Sequence, residues 1–135
     1  MEVEMVREAL NESAMNATLC GSYWRVSVFQ SVTSTQTELI GKENLQHGDV
    51  YVTEFQSAGR GRLDRKFQAP AGSALLFSFY ITPKRNRSDW GFLAHLAALC
   101  MSEIISNDLN TTVSLKWPND ILIADKKVCG LIAQS

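Results

Sequence analysis

Apolar residues recur along this chain with two periods, and the switches between them divide it into elements. Val3, Val6 and Leu10, set among Glu2, Glu4, Arg7 and Glu8, predict a short amphipathic helix over 2–10. Over 23–32, Tyr23, Arg25 and Ser27 alternate with Trp24, Val26 and Val28, which predicts a strand; Ser34 or Thr35 then supplies an N-cap for a helix through Leu39. Residues 49–55 and 73–82 read as a second and a third strand, joined by a long connection over 56–72 of the kind that is usually functional or disordered. The segment 89–105 places Trp90, Leu93, Leu96, Ala97, Cys100 and Ile104 on one helical face, the expected core face of the longest helix. Three more strands follow over 113–117, 120–124 and 127–133, with Asp125-Lys126 as a tight hairpin between the last two.

Clustered strands with one long helix between them predict an α/β (α+β) chain. The expected architecture is a mixed, mostly antiparallel central sheet with helices packed on one side, rather than a doubly wound parallel sheet. The final residues, Gly130 to Ser135, are largely apolar and end without a turn, so the sheet is expected to be truncated at its C-terminal end.

At 135 residues and 45% hydrophobic content, with no shift in composition along its length, the chain reads as one domain spanning 1–135. Its net charge of −1, from 13 basic and 14 acidic residues, argues against a general nucleic-acid surface. No apolar run approaches the roughly 20 residues of a membrane span, and the first residues lack the pattern of a signal peptide, so a cytoplasmic location is expected. Cys20, Cys100 and Cys129 have no close-spaced partners and read as reduced packing residues rather than a disulfide framework or a zinc site. His47 and His95 carry no pattern of their own, and the sequons at Asn11, Asn16, Asn86 and Asn110 are expected to be chance matches.

The chemistry concentrates in 56–65, Gln-Ser-Ala-Gly-Arg-Gly-Arg-Leu-Asp-Arg. Glycine lets a ligand approach the main chain, and the planar guanidiniums of Arg60, Arg62 and Arg65 offer forked donors to carboxylate or phosphate. Taken alone, such a string is weak and reads more readily as a solvated basic turn. Three other polar groups fall at predicted strand ends: Ser34-Thr35-Gln36, Lys116-Trp117-Pro118-Asn119-Asp120, and Lys127 before Cys129-Gly130. Pro118 cannot continue a ladder, which puts Asn119 and Asp120 at a strand boundary and makes Asp120 the candidate ligand for Mg²⁺.

In this order the four groups resemble the catalytic domain of the biotin protein ligases, a class II synthetase-like fold shared with lipoate ligases, over about residues 23–135. The resemblance implies ATP-dependent activation of biotin to biotinyl-5'-AMP and its transfer to a lysine of a biotin carboxyl carrier protein. It implies biotin contacts from Ser34, Thr35, Gln36, Gln56, Gly59, Arg60, Gly61, Arg62, Lys127 and Gly130, with Arg62, Lys116 and Lys127 as catalytic cations. Arg65, Phe67, Asn119 and Asp120 join Arg62 around ATP, and Asp120 positions Mg²⁺. The glycine and arginine segment is expected to close over the adenylate and to be mobile without it. Gln36, Asp64 and Gln134 depart from the family's usual residues, and Gln134 is given no role. A winged helix and a C-terminal β-barrel are not in the sequence, so transcriptional repression is not expected; a homodimer is compatible with the family. The competing expectations are a fragment that binds biotin or its adenylate without efficient transfer, and a lipoate or other acyl ligase of the same fold.

Overall fold

A computed structural model describes residues 7–135. They form two compact units, the first running to Arg60 and resuming over Asp64–Thr82, the second comprising Gly61–Leu63 and Pro83–Ser135.

In the first unit, helix α1 (Glu12–Thr18) is capped by Asn11, whose side chain accepts the Ala14 N–H at 2.8 Å. The helix expected over 2–10 is not seen in the part of it that is described, since residues 7–11 are not helical. The reason is tertiary: the Leu10 N–H and the Arg7 guanidinium are committed to Glu54, 44 and 47 residues away, instead of to a local turn. Strand β1 (Arg25–Phe29) runs parallel to β2 (Asp49–Thr53), and the crossover between them contains α2 (Thr35–Ile40). After a short hairpin of β3 (Gly59–Arg60) and β4 (Lys66–Phe67), β5 (Leu76–Phe79) returns antiparallel to β2. Val26, Val50 and Val52 form the buried core, against which Leu10, Met15, Leu19, Trp24 and Val28 pack. Burying branched residues on a pleated face is what pins the register, because a slip of β2 by one residue would turn Val50 and Val52 to the other face.

In the second unit a 3-10 helix (Arg87–Phe92) leads into α3 (Leu93–Leu109). Gly91 lies inside the expected start at 89, and glycine weakens an α-helix there. Asn110 ends α3 in the left-handed region at φ 46°. The expected core face is only partly covered: Leu96, Cys100 and Ile104 are exposed, and Ala98 is the fully buried position. Strands β6 (Ser114–Lys116), β7 (Asp120–Ile123) and β8 (Lys126–Gly130) make an antiparallel sheet, and three short strands cover only part of a helix of 17 residues. Ala124 and Asp125, both at positive φ, form the hairpin turn one residue earlier than expected. The α+β class with predominantly antiparallel pairing is thus realised, with β1–β2 as the parallel pair.

Candidate functional site

In the first unit the N-terminus of α2 is built around hydroxyls. Ser34 is buried at 3% exposure and accepts the Thr37 N–H at 3.4 Å as the helix cap. Thr35, equally buried, donates its N–H to Gln56 Oε1 at 2.8 Å and its hydroxyl to the same oxygen at 3.1 Å, while 2.8 Å separates that hydroxyl from Ser78 Oγ. A backbone N–H can only donate, so this geometry fixes which end of the Gln56 amide is oxygen. The Ser78 hydroxyl then donates to Thr35, Thr35 donates to Gln56, and the Gln56 Nε2 group is the donor end of the chain, with no acceptor among the described residues. Ser57 and Ala58 extend the arrangement, donating to Val32 O at 3.0 Å and Thr33 O at 2.7 Å. Gln36, next along α2, is half-buried.

Gln56 also borders a cavity of about 380 Å³ lined by Phe55, Gln56, Ser57, Gln68, Ala69 and Pro70. Apolar walls with a few placed polar groups suit a small ligand with one polar and one apolar end. Gly59 lies directly beside it. A Cβ at that position would sit 2.6 Å from Phe67 O and 2.8 Å from Gln56 Nε2, so the approach of the hairpin to the glutamine amide requires glycine. Phe67 itself is 40% exposed.

The second unit holds a row of charge on one face of its sheet. Lys116 and Gly130 both stand directly opposite Asp120 across the ladder. Between β7 and β8 the register shifts, so that Leu122 pairs with Lys127 and Val128 is the extra, bulged residue. Directly opposed residues point to the same side, as do positions two apart. The bulge therefore brings Lys127 onto the face of Asp120 and Lys116, where a regular ladder would have turned it away. Lys127 Nζ reaches Asp120 Oδ1 at 2.9 Å. Gly130 makes the room: a Cβ there would lie 2.8 Å from Lys127 Cε and 3.0 Å from Nζ. The Asn119 side chain donates to Leu131 O at 2.7 Å, and its carbonyl accepts the Leu131 N–H at 3.0 Å, which ties β8 to the turn at Pro118. Trp117, 79% exposed, stacks on His95 at 5.8 Å.

Arg60, Arg62 and Arg65 are exposed and form no ion pair among the described residues. Their charges are available to an anion. Among the described residues no three His, Cys, Asp or Glu side chains gather as metal ligands, so the donor set does not fit a resident metal. Asp120 Oδ1 is buried in ionic contact with Lys127 yet receives no directed hydrogen bond. Burial pushes the Cys129 thiol up and Asp120 adds to that against Lys127, so Cys129 stays a thiol and offers no nucleophile.

Two polar groups in this region escape a reading of motifs. Ser78 is the one small hydroxyl residue in the otherwise aliphatic and aromatic run 75–81, and that interruption was its signal. Glu54 closes the apolar strand before Gln56 and is 7% exposed, bound by Arg7 and the Leu10 N–H.

The sequence matches the biotin/lipoate A/B protein ligase family over residues 26–135. The bifunctional ligase/repressor BirA of Salmonella typhimurium is 32% identical over 110 residues, covering 81% of this chain and 34% of that protein. The biotin–[acetyl-CoA-carboxylase] ligase of Mycobacterium tuberculosis is 28% identical, covering 97% of this chain and 53% of that protein. Among solved structures, the biotin protein ligase from Aquifex aeolicus in complex with biotin and ATP superposes with a TM-score of 0.73 at 34% identity, covering 82% of this chain and 46% of that one. The chain therefore spans about a third to a half of the length of these relatives. The fold, the order of the four polar groups and the match over 26–135 lead to one conclusion: this chain belongs to the biotin/lipoate A/B protein ligase family.

Proposed function

We propose that this chain activates biotin with ATP to biotinyl-5'-AMP and passes the biotinyl group to a lysine of a biotin carboxyl carrier protein. The observation that supports this most is the Ser78–Thr35–Gln56 hydrogen-bond chain, which holds the Gln56 amide beside a cavity and close to a hairpin carrying exposed arginines. The similarity to a ligase bound to biotin and ATP adds the identity of the ligands. Gln56, with the Ser34, Thr35 and Gln36 turn behind it, recognises the ureido ring, while the walls of the cavity take the apolar tail. Gly59, Gly61 and Gly130 allow close approach of main chain to ligand.

In the first step a biotin carboxylate oxygen attacks the α-phosphorus of ATP. A carboxyl–phosphate bond forms, the bond to pyrophosphate breaks, and negative charge gathers on the phosphoryl oxygens. Lys116 and Lys127, with Arg60 and Arg62 once ligand has ordered their hairpin, supply the charge that offsets it, so that catalysis consists of positioning and electrostatic stabilisation. Arg65, Phe67 and Asn119 hold the nucleotide, and Asp120 would hold the Mg²⁺ that accompanies ATP, which would neutralise phosphate charge. In the second step a neutral lysine amine of the carrier attacks the acyl carbon, AMP leaves with the bonding pair, and the nitrogen loses a proton.

Incubation with biotin and ATP labelled at the α-phosphate, then addition of a biotin carboxyl carrier domain, tests the reading. Labelled biotinyl-AMP followed by a biotinylated carrier is expected. No adenylate with biotin but an adenylate with lipoate would reassign the acid, and adenylate without transfer would limit the chain to activation.

A further inference from the structure

The segment 55–71, which carries Gln56, Gly59 and the arginines, lies between Glu54, the residue after β2, and Gly72, in the turn before β5. These two ends are joined: the Gly72 N–H donates to Glu54 O at 3.1 Å. Arg7, from the stretch preceding α1, bridges the same two residues through its side chain. One guanidinium nitrogen, Nη2, binds the Glu54 carboxylate, and Nε donates to Gly72 O at 3.1 Å. The second Glu54 oxygen accepts the Leu10 N–H at 2.7 Å, so the carboxylate is held from both sides by residues 7–10. Glu54 is almost fully buried two positions before Gln56, and a buried carboxylate held in this way cannot shift without breaking charge-assisted hydrogen bonds.

We propose that Arg7 is a positioning residue for the site: by gripping Glu54 and Gly72 together, it makes residues 7–10 a strap that fixes both ends of the 55–71 segment and so aims Gln56. The fork of arginine is what the position uses. A lysine can neutralise Glu54 but offers a single point of charge, which cannot hold a carboxylate and a carbonyl in two directions with one planar group. The functional part of this inference rests on the biotin ligase reading, whereas the structural part does not.

Amide hydrogen exchange in the full chain, compared between the parent, Arg7→Ala and Arg7→Lys, separates the possibilities. Arg7→Ala is expected to accelerate exchange at Ser57, Ala58 and Gly72 about tenfold or more, with the amides of β1–β2 and of β6–β8 within about twofold of the parent. Arg7→Lys is expected to restore Ser57 and Ala58, near Glu54, but not Gly72. The biotin KM should rise about tenfold in Arg7→Ala with kcat within about twofold, because what is lost is the preset pose of Gln56. Unchanged exchange at both ends of the segment overturns the proposal, and so does an equal acceleration throughout β1–β2, which would reduce Arg7 to a general stabiliser. If the parent makes no biotinyl-AMP, the ligase reading fails while the exchange comparison still decides the strap.

Discussion

Lys127 and Gly130 show how much a single missing methyl group can decide. Lys127 is half-exposed and Asp120 less so, so their ion pair adds little to stability; its value lies in holding the ammonium at a defined place. A methyl at position 130 would occupy the space of Lys127 Cε and Nζ, and because these atoms end a flexible side chain, the lysine would move rather than the sheet. Gly130→Ala is therefore expected to lower biotinyl-AMP formation about tenfold or more while leaving the melting temperature within about 4 °C of the parent. Adenylate assays and thermal unfolding on the same preparation check both halves. The identity of these residues was legible in the sequence as a lysine shortly before a glycine. That they face Asp120 was not, because the orientation depends on the bulge at Val128, which no local pattern announces. Ser34 and Thr35 taught a related lesson, since both hydroxyls are buried and engaged in capping and bridging.

The β3–β4 hairpin is the element with the least holding it. It has two residue pairs, Gly59 with Phe67 and Arg60 with Lys66, and an isolated two-stranded hairpin is marginal in water even when longer. Leu63 and Asp64 lie in the left-handed region at φ 54° and 57°, which disfavours a branched apolar residue and suits glycine or asparagine. Ordering this stretch from a disordered state costs about 1–2 kcal/mol per residue in backbone entropy, a sum that ligand contacts must offset. Exchange of the amides over 61–65 is expected to be fast in the free chain and slowed at least tenfold by biotin with ATP. Protection that is the same with and without ligands would remove the lid role. Asp64→Gly should retain ligand-induced protection, since glycine tolerates the same backbone. The sequence marked this segment as a long functional connection because of its glycines and arginines. It could not show that the connection contains strands, because pairs of two residues leave no periodic trace.

On the scale of the whole molecule, stability at low pH follows from two buried carboxylates. For Asp49, burial is the largest influence and pushes its pKa upward, but hydrogen bonds from Lys42, the Gln46 N–H and Arg25 together outweigh it and hold the group below its ordinary value. For Glu54 the Leu10 N–H is the largest influence, opposed by burial and reinforced by Arg7, and again the pKa is lowered. A pKa lower in the folded than in the unfolded chain means that the unfolded state binds more protons near pH 4. The stabilisation is therefore complete above about pH 5 and is lost as the pH falls through the folded values. Melting temperature is expected to be flat from about pH 7 to 5 and to drop below about 4.5, and the double variant Asp49→Asn, Glu54→Gln should flatten that acid limb. An acid limb of unchanged steepness in the double variant would locate the titrating groups elsewhere.

By itself the sequence determined the class of the fold, the approximate place of the strands, the N-cap at Ser34 and the residue types from which the proposed site is made. These follow from periodicity and from chemistry carried by neighbouring residues, and both are local. The tertiary structure decided the rest. It drew residues 7–11 away from a helix toward Glu54, left Leu96, Cys100 and Ile104 exposed on α3, set the Gln56 amide through Thr35 and Ser78, and turned Lys127 toward Asp120. Each of these depends on a group distant in the chain, whose hydrogen bonds or packing outweigh the local preference once the fold has brought it near.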